Sequence, residues 1–254
     1  MRPHHCRSIT AGFTLIELLT VIAIIGILAA IFIPTVGAVR EKAQRAVDAN
    51  SMREIAKAAM IYAGDNNDRL PDPSSTPAPS ITGGGNLYIW AGLVAKSGAL
   101  ADSSLYFAKS DPKADASSAG SVLDPTDATH NTLNADFIAR TPSVELVGGL
   151  KMSDPATTPI AFSRGLNTTG TWDNNSDGLG KSVYGDAGGY IVFLTGNVQF
   201  YKDLGDATTG RLVQTNGKPT NDITKTIPGS SSQKIYGQGG LIGTLAGTTP
   251  TPAD

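Results

Sequence analysis

The chain has 254 residues, of which 17% are charged, with 29 glycines and 15 prolines. That length accommodates one large domain or two small ones and excludes a solenoid or a multidomain machine. Low charge with abundant Gly and Pro points to a loop-rich, β-leaning body. A net charge of −2 lacks the basic excess that neutralises phosphates, so nucleic acid is excluded as the main partner. The single Cys excludes an intramolecular disulfide and a Cys-rich zinc site. The three histidines, two of them adjacent at His4 and His5, offer no His-based metal cluster.

The N-terminal segment, Met1 to Gly12, is polar and carries Arg2 and Arg7, as the basic leader of an export signal does. From Leu18 to Val39 there follow 22 positions without an ionisable side chain. As a helix this run is roughly 33 Å long, enough to cross a hydrocarbon core of about 30 Å. An ordinary secretory signal peptide, cut after Val36-Gly37-Ala38, is the competing reading. Its apolar core runs only about 7 to 15 residues, and it does not open on a carboxylate. Cys6 lies ahead of the apolar run and is no lipoprotein cysteine.

That carboxylate is Glu17, an acid at the margin of a membrane span. Such a group costs a few kcal/mol unless it is paired, and marks function by default. On sequence alone Glu17 is expected to lack a partner in its own chain. Its setting is Gly12-Phe13-Thr14-Leu15-Ile16-Glu17. Here the chain resembles the type IV prepilins: a short basic leader ending in Gly, then an aromatic residue, Thr, Leu, Ile and Glu, then a long apolar helix. Pro34, 22 residues beyond Gly12, falls where many pilins carry a helix-kinking proline. The resemblance covers residues 7 to 63, with Ala11 departing from the usual Lys or Arg. It implies cleavage between Gly12 and Phe13 by a prepilin peptidase, N-methylation of Phe13, and assembly through the Phe13 amine and Glu17. The implied partners are copies of the chain or other pilins in a type IV pilus-like or type II secretion pseudopilus filament, together with an inner-membrane assembly platform. The implied location is the inner membrane, crossed once at about residues 15–38, with the head in the periplasm.

Beyond the span the pattern becomes amphipathic. Val39, Ala43, Val47, Met52, Ile55, Ala59 and Met60 recur at three- and four-residue steps among Arg and Lys, so one helix is predicted to continue to about Ala63. Gly64 and the polar run after it supply the stop. The predicted fold class is α+β: a leader over 1–12, a stem helix over 13–63, and a loop-rich head over 64–254 with a small antiparallel sheet and a flexible tail. Residues 70–86, with four prolines and three successive glycines, read as a linker or surface loop. Leu87 to Lys96 reads as a short helix closed by Gly98, with Trp90 and Leu93 in the core. Val144 to Val147 and Ile160 to Phe162 read as short strands. The strongest β signal is Ile191 to Tyr201, predicted as a hairpin with Gly196-Asn197 as a two-residue primed turn and Phe193 opposite Phe200. This region and the Tyr184–Gly189 stretch before it are similar to the C-terminal part of many pilin-like proteins. The last eight residues are expected to be disordered.

No nucleophile elbow, Walker loop, dinucleotide fingerprint or zincin motif is present in the sequence, so a non-enzymatic protein without a resident cofactor is expected. His130 reads as a solvated loop histidine. From Gly64 onward the net charge is −5, and 17 of the 18 acids are Asp, a residue that favours turns and caps. The run Asp173-Asn174-Asn175-Ser176-Asp177-Gly178 fits the first half of a calcium loop, with Asp173, Asn175 and Asp177 as ligands. In the second half Lys181 and Tyr184 stand where a ligand and the bidentate Glu belong. An Asx-rich turn and a calcium site both remain open. A membrane-anchored periplasmic binding protein or hydrolase is the alternative to a filament subunit.

Overall fold

The computed structural model describes residues 14–75, 79–113, 120–173, 181–229 and 234–237, except the side chains of residues 34, 35 and 38. The protein is α+β: a long N-terminal helix and a mostly antiparallel β-structure, as a pilin-like fold has. Helix α1 runs Leu15–Asp65, two residues past the sequence-based end. The chain divides into two compact units, Met1–Ala43 and Gln44–Asp254, and the division falls inside α1.

In the second unit the helix is one-sided. Met52, Ile55, Ala56, Ala59 and Ala63 are buried while Val47, Lys57 and Ile61 are exposed, the three- and four-residue spacing of one buried stripe. The small side chains let the helix approach the layer beneath it closely. That layer is a five-stranded sheet of β1 (Val144–Val147), β2 (Pro159–Ser163), β3 (Gly189–Phe193), β4 (Val198–Tyr201) and β7 (Ile235–Tyr236), in the order β4-β3-β2-β1-β7. Neighbouring strands in it pair antiparallel. Strands β5 (Leu212–Val213) and β6 (Pro219–Thr220) pair separately.

All residues of β1 and β2 are buried, because both faces of the sheet are covered. On one face Val144 and Ser163, paired across β1 and β2, line a small cavity with Asp48 and Met52 of α1. On the other, Trp172 lies so close to Gly189 that a Cβ there would sit 2.2 Å from the indole Nε1. Helix α2 (Asn86–Lys96) borders β1, and Trp90 Nε1 donates to Val147 O at 3.1 Å. Trp90 is fully buried and Leu93 packs against the core partly buried. The short helix α3 (Ala135–Ile138) brings Phe137 against Tyr88, Tyr106 and Phe107, with ring centroids 5.3, 5.7 and 5.9 Å apart.

Residues 70–75 and 79–85 form a loop, as expected, but one packed into the body rather than a free linker. Leu70 and Ile81 are buried, and Asp72 bonds Ser74 and Lys234. The loops share a device. At Asp124, Asp127, Asn167, Asp206 and Asp222 a side-chain oxygen accepts from both the backbone N–H and the hydroxyl of a Thr two residues on. These are Asx turns, and they account for the preference for Asp over Glu. His130 sits in such a loop, exposed and with φ of 52°.

The hairpin corrects the sequence-based register. Tyr190 pairs with Phe200 and Val192 with Val198, so Phe193 does not face Phe200. The connection is a three-residue loop: Gly196 N–H donates to Phe193 O at 2.8 Å and Phe193 N–H to Asn197 O at 3.0 Å. Gly196 alone has a positive φ, 77°. A primed two-residue turn requires φ > 0 at both central residues in its commonest form, whereas a type I turn closed by one left-handed Gly gives this longer loop. The aromatic pair is therefore Tyr190–Phe200, at 4.9 Å and 73°. Strand β7 was not foreseen: a two-residue strand in a Gly- and Ser-rich stretch, it completes the sheet against β1. The last eight residues lie outside the described part.

Arg164, directly after β2, is fully buried. Its Nη2 pairs with Asp111 Oδ1 at 2.7 Å, Nη1 donates to Pro142 O at 2.7 Å, and Nε to Lys181 O at 2.9 Å. The second carboxylate oxygen of Asp111 accepts from Ser143 Oγ at 2.6 Å. Removing one partner of such a pair leaves an uncompensated buried charge, at a cost of about 3–5 kcal/mol. In thermal or urea melts, Arg164→Ala is expected to lose stability on that scale, and Arg164→Met combined with Asp111→Leu to lose markedly less. Gly196→Ala is expected to lose about 1–2 kcal/mol, the penalty for a left-handed non-glycine residue, read in the same melts.

Candidate functional site

The residues singled out for processing and assembly are Gly12, Phe13 and Glu17. Gly12 and Phe13 lie outside the described residues; Glu17 lies in the first turn of α1. Its carboxylate Oε2 accepts from the backbone N–H of Thr14 at 2.9 Å and from the Thr14 hydroxyl at 2.6 Å. In return Glu17 N–H donates to Thr14 Oγ1 at 3.3 Å. Ser/Thr followed three residues later by Glu, each side chain bonding the other's backbone N–H, is the reciprocal capping box of a helix start.

This overturns the expectation that Glu17 lacks a partner in its own chain. The sequence signal for it is Thr14-Leu15-Ile16-Glu17, a pattern that fits both the margin of a membrane span and a helix terminus. Thr14 is thus the partner of Glu17 within its own chain. The box places a carboxylate at the positive end of the helix, where the free N–H groups and the macrodipole favour negative charge.

Behind the cap, Leu15–Ile33 is long and apolar enough to cross a membrane, and none of it is buried within the chain. Leu15, Ile16, Leu18, Leu19, Ile22, Ile25 and Phe32 are all exposed, so the apolar surface runs around the helix rather than along one stripe. A helix apolar all round is suited to an apolar surrounding. The only polar side chains between Leu15 and Ile33 are Glu17 and Thr20. The Thr20 hydroxyl donates to Glu17 O at 2.9 Å, so both bond within the helix and its cap. Pro34 falls inside α1, but its side chain is outside the described residues.

Where the second unit begins, the sheet grips the helix by polar contacts. Tyr190 OH donates to the backbone O of Arg45 at 3.0 Å, and Tyr184 OH donates to Asp48 Oδ2 at 3.1 Å. The Arg45 guanidinium lies 5.7 Å from the Tyr184 ring and 5.2 Å from the Phe200 ring, within cation–π range. Burial pushes the Asp48 carboxyl above its ordinary value, against the lowering effect of the Tyr184 hydroxyl and other donors.

Of the candidate calcium ligands, Asn175 and Asp177 lie outside the described residues. Asp173 stands at the base of that loop, where its backbone O accepts from Ser182 N–H at 2.7 Å and its N–H donates to Gly165 O at 2.7 Å. Among the described residues no group of three or more His, Cys, Asp or Glu side chains is arranged to hold a metal.

The family described as Prokaryotic N-terminal methylation motif matches residues 7–33. Over 56 residues in the N-terminal region the chain is 50% identical to the type IV wide pilus major component PilA4 of Thermus thermophilus. The match spans 22% of this chain and 43% of that relative. No solved structure matches the chain. The capped, all-round apolar helix start and these likenesses coincide on the same residues: the N-terminal region carries the methylation motif of prokaryotic prepilins and is similar to that of a type IV pilin.

Proposed function

We propose that the chain is a structural, non-enzymatic subunit of a type IV pilus-like or type II secretion pseudopilus filament. In this reading a prepilin peptidase cuts between Gly12 and Phe13, and an inner-membrane platform assembles the mature subunit with copies of itself or with other pilins. Before assembly the helix crosses the inner membrane once and holds the head in the periplasm. The observation that carries the reading is the methylation motif at residues 7–33 running into a capped helix that is apolar on every side.

In the filament the Phe13 amine of one subunit meets Glu17 of its neighbour, in a head-to-tail contact that does not close on itself. Apolar packing of Leu18 to Ile33 supplies most of the contact area. The charge pair fixes the axial register, because another stagger leaves a carboxylate without a counter-charge in an apolar surrounding. The capping box gives Glu17 a second duty, since it also starts the helix. Two substitutions separate the duties: Glu17→Gln keeps a capping-box side chain and loses the charge, whereas Glu17→Ala loses both.

Intact mass and N-terminal sequencing of protein recovered from its host are expected to give Phe13 as the first residue, N-methylated. A mature start at Val39 would make the protein a secreted soluble one instead. Shear-released filaments and membrane-bound pools, quantified side by side, are expected to show normal membrane insertion and leader cleavage for Glu17→Gln and Glu17→Ala, with filament yield reduced at least tenfold in both. Wild-type yield from Glu17→Gln alone would assign Glu17 to capping rather than charge pairing. Wild-type yield from both would favour an anchored protein that does not polymerise through this helix.

A further inference from the structure

Glu145 is the only glutamate after Gly64, and it is wholly buried in the middle of β1. One oxygen, Oε1, accepts a long hydrogen bond from Gly165 N–H at 3.4 Å, and the other, Oε2, has no partner among the described residues. The cover over this side chain is the residue that follows β7. A Cβ at Gly237 would lie 2.8 Å from Glu145 Cγ and 2.9 Å from Cδ, so only glycine fits there. Strand β7 itself is slight. It pairs with β1 at Leu146↔Tyr236 and Val147↔Ile235, with Gly148 N–H donating to Lys234 O at 2.8 Å.

Its remaining hold is polar. Lys234 pairs with Asp72 at 2.5 Å, and the Tyr236 hydroxyl reaches Ser74 Oγ at 3.1 Å. Strand β7 is therefore a small and separable element that closes over a buried carboxyl whose second oxygen has no hydrogen-bond donor among the described residues.

We propose that β7 is a pH-sensitive latch, closed over Glu145 while that side chain is protonated and released from the edge of β1 when it ionises. A neutral carboxyl tolerates an apolar enclosure, whereas a carboxylate requires donors or water. Burial pushes the Glu145 carboxyl up to about 8, against the lowering effects of the Gly165 N–H and the Arg164 charge. The pull of Arg164 on it is only partial, and no ion pair to Glu145 forms among the described residues. Arg164, at the end of β2, is committed to Asp111, and Lys234, on the approach to β7, to Asp72. Tyr236 is the other titratable group on β7, and burial raises its hydroxyl to about 12, so it stays neutral throughout the range in question.

The sign follows from linkage. A folded-state value raised above the unfolded one means that the closed state holds the extra proton. The stability it contributes is complete below about pH 4.5, the ordinary glutamate value, and declines as pH rises, until it is lost above about 8. Water reaches the carboxyl group at least structural cost by lifting β7 and Gly237, which lies against Glu145 Cγ, Cδ and Oε1, since the rest of β1 is held between β2 and the covered faces of the sheet.

The test is amide hydrogen exchange on the full-length protein in detergent micelles from pH 5 to pH 9, corrected for intrinsic exchange, in wild type and Glu145→Gln. Glutamine is the neutral analogue of the protonated acid. In wild type, protection at Tyr236, whose N–H faces β1 in the antiparallel ladder, is expected to fall at least tenfold between pH 6 and pH 9 while protection in α2 changes little. Glu145→Gln is expected to keep β7 protected throughout. Constant β7 protection in wild type, or the same loss in Glu145→Gln, would overturn the proposal. Should that variant fold poorly, the wild-type ratio of β7 to α2 protection decides: a ratio that falls with pH supports the latch, and a constant ratio overturns it.

Discussion

The guanidinium of Arg164 sits in the interior of the head with each of its three nitrogens directed at a different stretch of chain: the carboxylate of Asp111, the carbonyl of Pro142 and the carbonyl of Lys181. A cation so placed is tolerable only if every donor is used and a counter-charge lies beside it. The surrounding loops are shaped by that requirement. Asp111 is held in turn by Ser143, whose hydroxyl also accepts from Ala108 N–H at 2.8 Å. One side chain thus fixes the entry to β1, the exit of β2 and two segments distant in sequence. The apolar core supplies the bulk of the stabilisation, but the irregular half of the head takes its arrangement from this buried network.

Helix α1 meets a different constraint, since one continuous element serves two surroundings. At its start the exposed residues are apolar on all sides, and polar groups are accommodated only by bonding back to the helix or its cap. From Asp48 onward burial is confined to one stripe, and the residues in it include Ala56, Ala59 and Ala63, which permit a close approach. The change of pattern is marked by side chains that bridge polar and apolar matter: Arg45 over the Tyr184 and Phe200 rings, and two tyrosine hydroxyls bonding helix groups. Aromatic residues suit this place because they bury area while keeping a polar tip.

Features written in contiguous residues were legible from the sequence. The apolar run, the Gly12 to Glu17 motif, the α2 helix and the β1 strand each depend on local pattern. The α+β class followed from them. Features that depend on distant partners were not legible. The two residues of β7 acquire strand geometry only from a partner about 90 residues earlier in the chain, and Arg164 looks like any surface arginine until Asp111 is placed beside it. The hairpin is intermediate: Gly196 correctly marked a turn, but glycine serves both a primed turn and a single left-handed position, and the choice moves every cross-strand pair. At Glu17 the motif is legible but the partner Thr14 is not, because an acid at the margin of an apolar run points outward to another chain as readily as back to the helix cap.

The Asx turns have a consequence for how head surfaces behave toward one another. At half-buried Asp127 the hydroxyl and backbone donors of Thr129, with further donors from Asn131 and Thr132, hold the carboxyl well below the usual carboxylate range. Thr208 and Thr209 do the same for Asp206, and Thr126 for Asp124. Ordinary surface acids neutralise as a medium acidifies, and like-charged molecules then lose their mutual repulsion. Here the hydrogen bonds that shape the loops also retain the charge, so these patches go on repelling in mildly acidic surroundings. Ionic strength, with a screening length of about 10 Å at 0.1 M, governs how near two such patches come more than acidity does.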